Sequence, residues 1–89
     1  MKTVSLRIKG RVQGVGFRYF VLKVASKLGV NGIVRNCSNG DVYIEAECNS
    51  EVLIQFIDKC QEGTLRSIVE DIEITEIHSK DYSDFEIIE

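Results

Sequence analysis

Val4-Ser5-Leu6-Arg7-Ile8-Lys9-Gly10-Arg11-Val12-Gln13-Gly14-Val15-Gly16-Phe17-Arg18 contains the change of period that decides the architecture. Val4, Leu6 and Ile8 alternate with Ser5, Arg7 and Lys9, the period of a strand with one buried and one wet face. From Phe17 the period lengthens. Phe17, Phe20, Val21, Val24, Ala25 and Leu28 fall on one helical stripe, and Gly29 is placed to end the helix. Between strand and helix lie Gly10, Gly14 and Gly16, which take positive φ without steric penalty and let the backbone curl closely around a ligand. Successive N–H groups in such a loop form an anion-binding nest, reinforced by the positive end of the helix that follows. Arg18 adds a planar, permanently charged fork suited to bidentate phosphate binding. The stretch reads as a site for a phosphate-like or carboxylate group.

Further along, Ile33-Val34 and Val42 to Glu47 read as two strands joined across Ser38-Asn39-Gly40-Asp41. Asn39-Gly40 is a hairpin signal, since both residues tolerate the positive φ of a tight turn. A second helix is expected from Asn49-Ser50, with Leu53, Phe56, Ile57 and Cys60 as its stripe and Gly63 as its stop. Ile68 to Ile77 and Phe85 to Ile88 read as the last two strands. The order β-α-β-β-α-β plus a short final strand is that of an α+β, ferredoxin-like split βαβ sandwich. Two helices should cover one face of a mainly antiparallel sheet, and the face carrying Ser5, Arg7 and Lys9 should be largely wet. This fold hosts enzymes, RNA binders and regulatory modules alike, so function must come from the site.

The 89 residues are expected to form a single domain, residues 1–89. No apolar run approaches the roughly 20 residues of a membrane span, and no apolar block follows Met1-Lys2-Thr3-Val4-Ser5. A cytoplasmic protein is expected. Cys37, Cys48 and Cys60, an odd number without zinc-type spacing, read as free thiols in a reducing compartment. The net charge of −3 conceals a division of charge. Residues 1–40 carry eight Lys or Arg and no acid, whereas residues 41–89 carry all fourteen acids and only Lys59, Arg66 and Lys80. Either the halves intermix and compensate, or the first half focuses positive potential on a small anion; both can hold together.

Arg18 and Asn36 are the candidate reactive-site side chains. A cation is unfavourable at a helix N-terminus, so an anion is expected beside Arg18. In the expected topology the second strand ends near Asn36, beside the glycine loop. By position alone Asn36 reads first as a turn residue flanking the hairpin, although an amide is also able to hold a water in one orientation. The glycine spacing matches neither a dinucleotide fingerprint nor a P-loop. No cluster of carboxylates or histidines marks a metal site. An anion nest lacking general acid and base suits a leaving group that needs no proton.

At two separate places the sequence resembles the acylphosphatase family. Gly10 to Arg18 is similar to that family's first motif, and Gly32-Ile33-Val34-Arg35-Asn36 through Asn39-Gly40-Asp41-Val42 to its second. Asp81 to Ile88 resembles its last strand, so the likeness runs the length of the chain. Ile33 departs from the usual aromatic, most often Trp, and Asn39 from a common Asp. The resemblance implies hydrolysis of small acyl phosphates to carboxylate and inorganic phosphate, with no metal and no cofactor. It further implies that Arg18 binds the phosphoryl oxygens and that Asn36 orients the attacking water. The N–H groups of Gln13, Gly14, Val15, Gly16 and Phe17 would cradle the same phosphate.

Two other readings compete. An RNA-binding module would display aromatics on its central strands, and only Tyr43 is available on a net acidic chain. A regulatory module that binds an anion without turnover would share the nest and Arg18, and Asn36 is what favours catalysis over it. The expected partners are a small acyl phosphate as substrate and inorganic phosphate as product and inhibitor, with no nucleic acid and no membrane. A monomer is expected.

Overall fold

The alternating start of the chain forms β1 (Lys2–Arg11), and the stripe from Phe17 forms α1 (Phe17–Leu28), in the computed structural model, which describes residues 1–89. β2 (Asn31–Asn36), β3 (Val42–Cys48), α2 (Ser50–Glu62), β4 (Ile68–Glu76) and β5 (Phe85–Ile87) follow. The strands make one sheet in the order β4-β1-β3-β2-β5, antiparallel throughout except where β2 pairs with β5. This is the ferredoxin-like α+β arrangement that the periodicities imply. β2 starts at Asn31 rather than Ile33, because Asn31 and Gly32 already pair with Glu47 and Ala46 of β3.

Val4, Leu6 and Ile8 of β1 and Val42, Ile44 and Ala46 of β3 form one core with Phe17, Val21 and Ala25 of α1 and Leu53, Phe56 and Cys60 of α2. Burying each large side chain of this set contributes about 1.5–3 kcal/mol. α2 is capped by Asn49, whose Oδ1 accepts from Val52 N–H at 2.9 Å. Cys48 and Cys60 are buried, Cys37 is half-buried, and all three are free. Burial pushes the Cys60 thiol up to about 12, so it is packing rather than chemistry.

Two expectations need correction. The hairpin turn places only Gly40 at positive φ (+99°); Asn39 stays at negative φ. Cys37 N–H donates to Asp41 O at 2.8 Å and Gly40 N–H to Cys37 O at 3.2 Å, leaving a three-residue loop that ends in a left-handed glycine. Asn39 contributes through its side chain, whose Oδ1 accepts from Asp41 N–H at 3.1 Å.

The second correction concerns the face opposite the helices, which is partly covered. β4 and β5 occupy opposite edges of the sheet, so the connection between them must cross the face the helices leave free. Where residues 79–82 cross, Thr3, Glu45 and Glu47 are buried. Glu47 accepts from Ser79 Oγ (2.6 Å), Thr3 Oγ1 (2.5 Å) and the N–H groups of Tyr82 (3.0 Å) and Lys80 (3.3 Å). Glu45 accepts from Tyr43 and Tyr82 hydroxyls and pairs with Lys80 Nζ at 3.0 Å.

These bonds, the Ser79 hydroxyl foremost and then that of Thr3, hold the Glu47 carboxyl down to about 2, against 4.5 ordinarily. The unfolded chain therefore binds this proton more readily than the folded one. Glu47's contribution to stability is complete above about pH 4.5 and is lost as pH falls towards 2. Denaturant titrations between pH 5 and 2 should show wild type losing stability more steeply than Glu47→Gln. Parallel profiles would contradict this assignment.

The two charged halves do intermix. Basic β1 lies beside acidic β4, giving Lys2–Glu76 at 3.8 Å and Lys9–Glu73 at 3.7 Å, and Arg7 meets Asp41 at 3.4 Å. Ile68 and Ile74 of edge strand β4 remain 56% and 52% exposed, apolar surface that the sequence leads one to expect packed. The acids Glu70, Asp71, Glu73 and Glu76 on that strand discourage edge-to-edge pairing.

Candidate active site

Sheet topology gathers the candidate residues at one end of the molecule. β1 and β2 are each antiparallel to β3, which lies between them, so they run parallel to one another. Ile8 and Asn36 both pair with Val42, so Asn36, the last residue of β2, lies level with Ile8 of β1 and about two strand spacings, roughly 10 Å, from it. β1 runs on to Arg11 before its loop. β5, parallel to β2, ends on the same side.

The loop leaving β1 has Gly14 at φ +73° and Gly16 at φ +76°, with Val15 between them at negative φ. Alternating handedness of this kind turns consecutive N–H groups towards a common concavity. A Cβ at Gly14 or Gly16 would meet nothing within 4 Å, so the outer side of the loop is open. α1 begins at Gly16 with no side-chain cap and no acid in its first turn. The N–H groups of Gly14, Val15, Gly16, Phe17 and Arg18 find no acceptor within the protein. Five unmet donors at a helix N-terminus, where the macrodipole is positive, are suited to an anion.

Side chains hold this loop from both flanks. Gln13 Nε2 donates to Cys37 O at 2.7 Å and to Asp41 O at 2.9 Å, fastening the loop to the hairpin that follows Asn36. On the other side Thr64 Oγ1 donates to Val15 O at 3.1 Å. Val12 and Phe17 are buried and Val15 packs against the core, so these residues present only backbone to the open side.

Arg18 is half-buried, its side chain 32% exposed, and its one acidic neighbour is Glu89, 4.0 Å away and 93% exposed. Such a contact is worth little, which leaves the guanidinium available to an anion. At the end of β2, Asn36 Oδ1 is buried without any hydrogen-bond partner, the sole buried side-chain oxygen or nitrogen in that condition. An unsatisfied buried acceptor costs about 1–3 kcal/mol, and such groups persist chiefly where a water, ion or ligand engages them. No group of three or more His, Cys, Asp or Glu side chains is arranged to hold a metal ion.

The structure thus puts the glycine loop, Arg18 and Asn36 at the same end of the sheet. It also brings in residues that sequence reasoning missed. The Gln13 side chain is a structural tie, in addition to the backbone role the sequence offers it. Thr64 reads in sequence only as the residue after a helix stop, and no local signal links it to Val15. Glu89 reaches Arg18 only because β5 lies beside β2.

A mainly antiparallel ferredoxin-like sandwich with a loop of unmet amides where β1 meets α1, and a side-chain amide at the end of β2, defines a class of small α+β domains. Comparison with known proteins specifies it further. The acylphosphatase family model matches residues 4–87. An acylphosphatase of Ligilactobacillus salivarius is 44% identical over 89 residues, covering 98% of either chain. One from Thermotoga maritima is 40% identical over 87 residues, covering 98% of this chain and 97% of its own. The crystal structure of acylphosphatase from Bacillus subtilis superposes with a TM-score of 0.97 at 39% identity, with full coverage of both chains. The chain belongs to the acylphosphatase family.

Proposed function

We propose that this protein hydrolyses the carboxyl–phosphate bond of small acyl phosphates, releasing a carboxylate and inorganic phosphate, without a metal ion or cofactor. The observation that carries this is the pairing, at one end of the sheet, of unmet donors with an unmet acceptor: the amides of Gly14 to Arg18, and Asn36 Oδ1. The donors suit a phosphoryl group. The acceptor suits a water.

Gln13, Gly14, Val15, Gly16 and Phe17 supply backbone N–H groups to the phosphoryl oxygens, and Arg18 supplies its guanidinium. A water that donates one O–H to Asn36 Oδ1 keeps a lone pair for phosphorus. As the new P–O bond forms, the bond to the acyl oxygen breaks and its electron pair leaves with the carboxylate. The conjugate acid of that leaving group has a pKa near 4, so it departs without a general acid. Phosphoryl oxygens take up the proton the water loses. Charge spread over the equatorial oxygens is met by donors already in place, and this preorganisation supplies most of the rate enhancement.

The protein is proposed to act as a cytoplasmic monomer of one domain, with inorganic phosphate as its product and inhibitor and with neither nucleic acid nor membrane as partner. No helix is long and apolar enough to cross a membrane. Hydrolysis of an acyl phosphate in ¹⁸O-water tests the mechanism. Label should appear in inorganic phosphate. Label in the carboxylate would mean attack at the carbonyl and would overturn the roles given to Arg18 and Asn36.

A further inference from the structure

We infer that Thr64, in the turn after α2, is a positioning residue that aims the Gly16 amide at the bound phosphate; this rests on the phosphate-binding reading of the loop. Thr64 Oγ1 donates to the carbonyl of Val15 at 3.1 Å, across 49 positions of sequence. In a planar trans peptide the C=O of one residue and the N–H of the next point in opposite directions. Holding the Val15 carbonyl towards the turn therefore directs the Gly16 N–H away from it.

Glycine chemistry makes the tether necessary. The Val15–Gly16 peptide leads into Gly16, a glycine in left-handed conformation at φ +76°. Glycine populates positive and negative φ almost equally, so the Gly16 side of this peptide sets no steric preference for one orientation of the plane. A flipped plane would present a carbonyl to the phosphate instead of an N–H. The Thr64 hydroxyl selects the plane that donates.

The turn bearing Thr64 is itself fixed. Thr64 N–H donates to Ser67 Oγ at 2.7 Å, Ser67 Oγ donates to Thr64 O at 3.1 Å, and Ser67 N–H reaches the same carbonyl at 3.2 Å. A Cβ at Gly63 would lie 3.5 Å from the Phe17 ring, so the turn sits against the first residue of α1. Turn, loop and helix start form one rigid unit.

The test compares Thr64→Val, which keeps the shape and loses the donor, with Thr64→Ser, which keeps the donor. For each, kcat and KM for an acyl phosphate, the inhibition constant of inorganic phosphate and the thermal midpoint are measured. Thr64→Val should weaken phosphate inhibition and lower kcat/KM by about 5–20-fold each, the range for one misaligned donor. Thr64→Ser should stay within about twofold of wild type. A Thr64→Val protein that is less stable yet inhibited by phosphate like wild type would overturn the inference, as would a Ser variant as impaired as the Val variant. Should Thr64→Val not fold, Ser67→Ala, which loosens the turn and spares the hydroxyl, should raise the inhibition constant about 2–5-fold; an unchanged constant overturns the inference. Wild-type protein that neither turns over the acyl phosphate nor is inhibited by phosphate would remove the phosphate-site reading as well.

Discussion

Arg18→Ala lowers kcat/KM for an acyl phosphate by on the order of 10²-fold or more, and weakens inhibition by inorganic phosphate with it. The size follows from what surrounds the side chain. Five unpartnered amides run from Gly14 to Arg18, and the first turn of α1 carries no acid and Arg18 as its one formal positive charge. Its contact with Glu89, at 4.0 Å to a side chain 93% exposed, offers no competing use for the guanidinium. Stability should change by no more than about 0.5 kcal/mol, as for other partly exposed side chains without a strong partner. Arg18→Lys should recover part of the loss, since it restores charge but not the bidentate fork. Wild-type turnover in Arg18→Ala, measured on folded protein, would sink the assignment.

Asn36→Ala separates chemistry from binding. Oδ1 is proposed to hold the water and does not belong to the nest, so kcat should fall on the order of 10²-fold while inorganic phosphate inhibits almost as before. Because no protein group bonds to Oδ1, the substitution breaks no hydrogen bond within the chain, and the variant should stay within about 0.5 kcal/mol of wild-type stability. A variant with unchanged kcat would return Asn36 to the role of a turn residue. One that is inactive and also strongly destabilised would mean that the side chain holds the hairpin together.

The strand and helix periods were legible because each element buries one face against a single core. Val4, Leu6 and Ile8 on one side and Phe17, Val21 and Ala25 on the other needed no tertiary knowledge. Arg18 and the glycine loop were legible for a similar reason, since an anion nest is built from consecutive residues. Asn36 needed topology, because only the pairing of both strands with β3 puts the end of β2 at the end of the sheet where β1 leads into the glycine loop.

What stayed hidden depends on contacts between distant positions. Glu45 and Glu47 alternate with Ile44 and Ala46 as solvent-facing residues would, yet both are buried under the β4–β5 connection. Nothing in the strand pattern says which face that connection must cross. The Gln13 ties to Cys37 and Asp41, and the Thr64 tie to Val15, are single hydrogen bonds that leave no mark on periodicity or composition.

In the proposed mechanism a backbone nest, Arg18 and Asn36 hydrolyse an acyl phosphate without a metal ion. Turnover of benzoyl phosphate in excess EDTA, with and without inorganic phosphate, by wild type and Arg18→Ala tests it most directly. Wild type should hydrolyse benzoyl phosphate rapidly in EDTA with competitive inhibition by phosphate, and the variant should lose both. Absence of wild-type turnover under these conditions, or equal rates for the two proteins, would contradict the mechanism.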